Sequence, residues 1–213
     1  MTDDIRTTYL EAADAAVHLL ATEQVAARWD TASVLDGMTV GGLAGHLARS
    51  VLQVEWFLDG EVGHGETVPA GRYYGRLAGT TRPDSDLNVG VRARGEETAA
   101  AGPSVVARDA RDAHARLVTR LPAEPADRRV AIAHRPGEEM LLDEYLKTRC
   151  VELAVHLEDL ALSADLPPRV PTPCLAVAVT TLFSAARDRH GDQAVLHALA
   201  RRERDDREAL RVL

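Results

Sequence analysis

Lysine is almost missing from this 213-residue chain: Lys147 is the single one, and arginine carries nearly all the positive charge. Acidic residues outnumber basic ones, 33 to 25, and lie along the whole length. That leaves no basic face to release counterions from a nucleic acid or an anionic membrane. Cysteine is scarce as well. Cys150 and Cys174 are too few for a disulfide framework and lack the CxxC spacing of a zinc or redox site, so both read as core thiols. Aromatics make up 4% of the chain, while Ala, Leu and Val dominate an apolar share of 46%, which suits closely packed helices better than sheets. Long apolar runs are missing too. The longest uncharged stretch, Val170 to Ala186, is broken by Pro171 and Pro173, and the first residues, MTDDIRTTYL, are acidic where a secretory signal is basic and then apolar. These absences exclude a membrane protein and set the expectation of a cytoplasmic one.

What is present is helical periodicity within a length that fits one domain, residues 1–213. A first helix is expected from about Thr2 to Arg28, then a loop Trp29 to Met38. Thr39 caps a second helix from Val40 to about Leu58, which Gly60 closes. A glycine-rich loop with His64, Tyr73 and Tyr74 follows, through Thr81. The third helical region, about Asp84 to Leu121, must break or kink at Gly102-Pro103. Val130, Ile132, Met140 and Leu142 flank Arg135-Pro136-Gly137 as a short β-hairpin. Asp143 is expected to cap a fourth helix running to about Asp165. Two shorter helices, Cys174 to Arg189 and Asp192 to Glu203, complete the chain. The fold class is all-α: an up-and-down four-helix bundle over about 1–166, with added C-terminal helices and tail over about 170–213.

The fourth helix carries the chemistry. At about 100° per residue, Tyr145, Arg149, Glu152, His156, Asp159 and Ser163 form one polar stripe. Leu146, Leu153, Leu157 and Leu160 flank it on one side and Val151, Val155 and Leu162 on the other. Lys147, Ala154, Glu158 and Ala161 are left for a solvent-facing back. A polar stripe between two apolar flanks points into the bundle. Asp14 and His18 repeat the Glu–His spacing but share a face with Thr7, Glu11 and Thr22, a solvated surface.

An interior carboxylate beside an interior imidazole is costly unless paired or bound to metal, and Glu and His at i, i+4 suit two ligands of one ion. His46 on the second helix shares a face with Leu43, Leu47, Ser50, Val54 and Phe57, with Ala48 and Glu55 turned away, and can supply a third ligand. Two histidines and one glutamate leave an open position, as in catalytic zinc sites. The alternative is a buried ion-pair network of Arg149, Glu152, His156 and Asp159 that fixes helix packing. Arg149 could bind a substrate carboxylate or pair with Glu152. Asp159 could orient the ring of His156. Gln53, Trp56, Tyr73 and Tyr74 are candidates for the pocket mouth, with plain packing the simpler role for Trp56. His64, His114, His134 and His197 lack partners at ligand spacing and read as surface residues, and His190 complements a helix C-terminus.

WDTASVLDGMTVGGLAGHLARS and the later YLKTRCVELAVHLEDLALS resemble the mycothiol-dependent maleylpyruvate isomerase N-terminal domain family, a branch of the DinB-like superfamily. The motifs are Trp29, the Thr39-led helix with His46-Leu47-Ala48, and Thr148, Arg149, Glu152, His156 and Asp159. The closing AVLHALARRERDDREALRVL is similar to the tail of small members. The resemblance implies a DinB-like bundle, a divalent metal, usually zinc, held by His46, Glu152 and His156, and mycothiol, the thiol of actinobacteria, as co-substrate. It implies a metal-activated thiolate attacking a small electrophile, by S-transfer or thiol-assisted isomerisation. The arginine-rich composition fits a GC-rich source. The full isomerase carries a further C-terminal domain, so S-transfer is the expectation ahead of maleylpyruvate isomerisation itself. A metal enzyme that activates water, and a non-catalytic ligand-binding bundle, are the other readings; oligomeric state is left open.

Overall fold

The computed structural model describes residues 4–77, 82, 84–132, 137–200, 203 and 207–213. Where the periodicity indicates one long first helix there are two, α1 (Ile5–Leu20) and α2 (Glu23–Ala27). The break has a local cause: the Thr22 hydroxyl accepts from Val25 N (3.4 Å) and donates to Leu19 O (2.8 Å), capping one helix while closing the other. Helix α3 (Val40–Asp59) begins as expected, with the Thr39 hydroxyl accepting from Gly42 N at 2.8 Å.

The connection expected to be a loop is instead partly ordered. It holds β1 (Glu66–Thr67) and α4 (Ala70–Gly75). The third region splits at the expected place into α5 (Asp86–Ala99) and α6 (Pro103–Arg120). Gly102 takes φ 83°, a conformation open to glycine, and Pro103 occupies the first turn of α6, where its missing N–H costs nothing. Strands β2 (Arg129–Ala131) and β3 (Glu138–Leu141) pair antiparallel in the register Arg129↔Leu141, and β1 adds to β3 in parallel. The two arms of the hairpin are therefore present, while positions 133–136 at its tip, with His134, lie outside the described residues.

Helix α7 (Leu142–Ser163) starts one residue before Asp143. Asp143 does not cap it; its carboxylate accepts from Arg6 Nε at 2.9 Å and ties α7 to α1. After Asp165, at φ 52°, come α8 (Thr172–His190) and α9 (Asp192–Ala200), with Gly191 at φ 83° between them. Residues 207–210 form a 3₁₀ turn. The expected extension of α9 to Glu203 crosses residues outside those described.

Helices α1, α3, α6 and α7 form the bundle. Arg116 pairs with Glu55 and Arg120 with Asp59, so α3 and α6 run in the same direction, joined by the long path through β1, α4 and α5. Arg6–Asp143 at one end and Arg28 to Ser163 O at the other set α1 and α2 alongside α7 in the same direction, and α7 runs opposite to α3, as Arg149 to Gln53 and Glu152 to His46 show. Leu43, Leu47, Leu117, Leu146, Leu153 and Leu160 are fully buried between them; each contributes about 1.5–3 kcal/mol by leaving water.

Two faces differ from the sequence reading. Ala154 and Ala161 on the back of α7 are 4% and 2% exposed, because α8 packs there and Cys174 Sγ reaches Cys150 O at 3.3 Å. Ala48 on the far side of α3 is also fully buried, in the α3–α5–α6 packing, and Leu162, placed on an apolar flank, is 48% exposed. Alanine is small enough to serve either face, so its position in the pattern carries little information. Both cysteines are free and buried, as expected. Among the described residues no helix is long and apolar enough to cross a membrane.

Candidate metal centre

The polar stripe of α7 meets α3 at His46. Glycines prepare that meeting. A Cβ at Gly41 would stand 2.8 Å from the Trp29 indole, one at Gly42 2.1 Å from the Glu96 carboxylate, and one at Gly45 2.2 Å from Gly95 O. The first turns of α3 therefore lie in direct contact with Trp29 and α5, and His46 follows on a helix packed closely against both.

His46 Nε2 lies 3.3 Å from Glu152 Oε2, and His156 Nε2 lies 3.6 Å from the same oxygen. The two imidazoles meet edge to face, with centroids 4.6 Å apart at 80°. One ligand atom from each of the three residues falls within 4.8 Å of the others. Side-chain exposures are 15%, 18% and 17%, so the group is sheltered yet reachable. His156 Nδ1 lies 3.0 Å from Asp159 Oδ2, which leaves Nε2 turned toward Glu152. His46, Glu152, His156 and Asp159 are thus brought together in space.

The electrostatics follow from burial and pairing. Burial pulls the His46 imidazole below its usual range, against a hydrogen bond to Glu152 that raises it. Burial also works against a charged His156, but hydrogen bonds to Asp159 and Glu152 outweigh it and hold the ring at about 9. For Glu152 burial disfavours the charge; the two histidines and Arg149 more than offset it and keep the carboxyl well below its usual value. The donor set is one anionic oxygen and two imidazole nitrogens converging from facing helices, which fits a divalent ion of zinc type.

Arg149 lies one turn before Glu152. Its Nη1 donates to Gln53 Oε1 (3.1 Å), its Nε to Thr148 Oγ1 (3.2 Å), and the guanidinium packs 5.1 Å from the centre of the Tyr145 ring. It does not form the ion pair with Glu152 that helical spacing allows, and among the described residues it has no ion-pair partner. Arg49 stacks on Trp56 at 5.2 Å, and Trp56 is 51% exposed instead of packed in the core. The Tyr145 hydroxyl is buried and, among the described residues, without a hydrogen-bond partner.

Outside the site, His18 is 76% exposed beside Asp14, as expected for a solvated face, and His64 and His190 are exposed. His114 differs: it is half-buried, with Nε2 3.1 Å from Leu10 O. His197 is likewise half-buried.

The sequence reading missed the role of Tyr74. Placed there at the pocket mouth, it is 1% exposed, and its hydroxyl donates to Glu152 Oε1 at 2.8 Å. No spacing signal links residues that far apart in the chain. The glycines of α3 did carry a signal, since Gly41, Gly42 and Gly45 weaken a helix unless close packing requires them.

Comparison with known proteins adds the family. Residues 10–161 match the model of the mycothiol maleylpyruvate isomerase N-terminal domain. No curated protein matches the chain significantly. Among solved structures, the crystal structure of the mycothiol-dependent maleylpyruvate isomerase superposes with a TM-score of 0.55 at 16% identity, covering 91% of this chain and 72% of that one, a likeness of fold. With most of its length matched, and with the bundle that the resemblance implied, the chain belongs to the family of the mycothiol maleylpyruvate isomerase N-terminal domain.

Proposed function

We propose that the protein is a metal-dependent thiol enzyme in which His46, Glu152 and His156 hold a divalent ion, zinc by donor preference, and mycothiol is the thiol co-substrate. The observation that carries this reading is the convergence of three ligand atoms within 4.8 Å, from α3 and α7, in a chain of this family. An ion held there would supply Lewis acidity that generates a thiolate at neutral pH.

The protein's own groups do the rest. Asp159 accepts the Nδ1 proton of His156 and so fixes the tautomer that presents Nε2. Arg149, hydrogen-bonded to Gln53 and Thr148 and, among the described residues, in ion-pair contact with no carboxylate, binds an anionic group of the electrophile beside the thiol. The low side-chain exposure of His46, Glu152 and His156, 15%, 18% and 17%, limits the access of bulk water to the reacting atoms. The reaction is attack of the thiol sulfur on a small electrophile, with the thiol proton passing to solvent: S-transfer forms a C–S bond as a leaving group departs with its electron pair, and reversible addition forms and then breaks that bond to return an isomer. Residues 1–213 act as one unit, and the cytoplasm, where low-molecular-weight thiols stay reduced, is its place.

The test measures bound metal per chain, without a histidine tag, for wild type and for His46→Ala, Glu152→Ala and His156→Ala, followed by mycothiol consumption with electrophile panels. About one ion in the wild type and none in the variants, with thiol consumption that follows metal content, is expected. Metal without any thiol reaction would redirect the site to water activation; no metal after reconstitution would leave a bundle with a structural ion-pair network.

A further inference from the structure

Glu152 is held by a residue that belongs to neither metal-facing helix. The Tyr74 hydroxyl lies 2.8 Å from Glu152 Oε1 and 3.1 Å from Thr148 O. A phenol has one hydrogen to give, and the anionic carboxylate is the stronger acceptor. Oε1 is therefore engaged, while Oε2 is the oxygen that faces His46 and His156.

Tyr74 is itself firmly placed. Ala70 N, at the start of α4, donates to Glu144 Oε2 at 2.8 Å. Arg189 of α8 donates to the carbonyls of Tyr74 (2.8 Å), Leu77 (2.8 Å) and Gly75 (3.2 Å). Gly71 and Gly75 let α4 lie flush on α8: a Cβ at the first would come 2.3 Å from Ser184 Oγ, and at the second 2.5 Å from Asp188 Oδ2. Helix α8 lies beyond residues 10–161, so the part of the chain outside the family match reaches the site through α4.

We propose that Tyr74, clamped in place by α8, is a positioning residue for Glu152: its hydroxyl occupies Oε1 and leaves Oε2 as the one carboxylate oxygen presented to the metal. The inference rests on the reading of His46, Glu152 and His156 as metal ligands. Without Tyr74 the carboxylate could rotate and turn both oxygens toward a bound ion, which would crowd the side from which a thiol would approach.

The experiment compares wild type and Tyr74→Phe by zinc affinity, from competition with a chromophoric chelator, and by the visible spectrum of the cobalt(II)-loaded protein, whose bands weaken as coordination number rises. Affinity is expected to fall about 10- to 100-fold, with weaker cobalt bands and unchanged helicity. Arg189→Ala, which frees the backbone of α4, should move both readouts the same way by less, and decides the matter if Tyr74→Phe does not fold. Unchanged affinity and spectrum in a protein whose wild type binds one ion would overturn the positioning role and leave the metal reading standing. Lower affinity with an unchanged spectrum would reduce Tyr74 to fold support and overturn the proposal too. A wild type that binds no ion would overturn both.

Discussion

Asp159 Oδ2 accepts from the Nδ1 of His156 at 3.0 Å, less than one turn along α7, and this contact turns Nε2 toward Glu152. Truncating the side chain to a methyl group removes the acceptor without touching a ligand atom. Asp159→Ala should therefore keep its helicity but bind zinc about 10-fold or more weakly, measured by chelator competition. An affinity equal to wild type would make the contact incidental.

Metal affinity should depend steeply on pH. His156, held at about 9 in the metal-free protein, must lose its proton to become a ligand, whereas His46, pulled down by burial, is already neutral near pH 7. Affinity is expected to rise about tenfold per pH unit from near 7 to near 9 and then level off, with about one proton released per ion. Calorimetry in two buffers of different ionisation enthalpy counts that proton; zero would contradict the assignment.

The same ring sets a stability trend in the metal-free protein. Its folded pKa lies above the unfolded value of 6.5, so the stabilising contribution is complete below about 6.5 and is lost as pH rises through about 9. Urea unfolding should give a lower stability at pH 9.5 than at pH 6.5, by on the order of 1–3 kcal/mol. The difference should shrink in Asp159→Ala.

Arg149→Ala should leave the metal content intact and weaken the use of an anionic electrophile. A charge-assisted contact of about 1.5–3 kcal/mol corresponds to roughly a 10- to 100-fold fall in kcat/KM, carried mainly by KM. A neutral analogue should show little change; equal losses on both substrates would assign Arg149 to structure.

Gly45→Ala tests the packing behind His46. The added Cβ would meet Gly95 O, backbone that cannot turn aside, so α3 and α5 must separate. We expect about 1–3 kcal/mol of destabilisation and a zinc affinity reduced along with it, read by thermal melts and chelator competition.

The helical class, the ends of α3, the break at Gly102-Pro103, the two hairpin arms and the inward-facing set of His46, Glu152 and His156 were all legible in the amino-acid order. Each depends on neighbours three or four residues apart: a capping hydroxyl, a left-handed glycine, an apolar repeat. The split of the first helix at Thr22 is a local signal too, masked by an apolar repeat that runs on through it. The start of α7 at Leu142, the small sheet with β1, and the burial of Ala154 behind α8 were not legible, since each is settled by a partner distant in the chain.

By itself, then, the sequence determined which side chains could form a site, because helical periodicity alone places Glu152 and His156 on one stripe and turns His46 inward. Only the tertiary structure decided how that site is held. The Arg149 side chain goes to Gln53 and leaves Glu152, and the Tyr74 hydroxyl goes to Oε1. Those choices are made between elements far apart in the chain, where distance and desolvation, which no spacing encodes, select the hydrogen-bond partner.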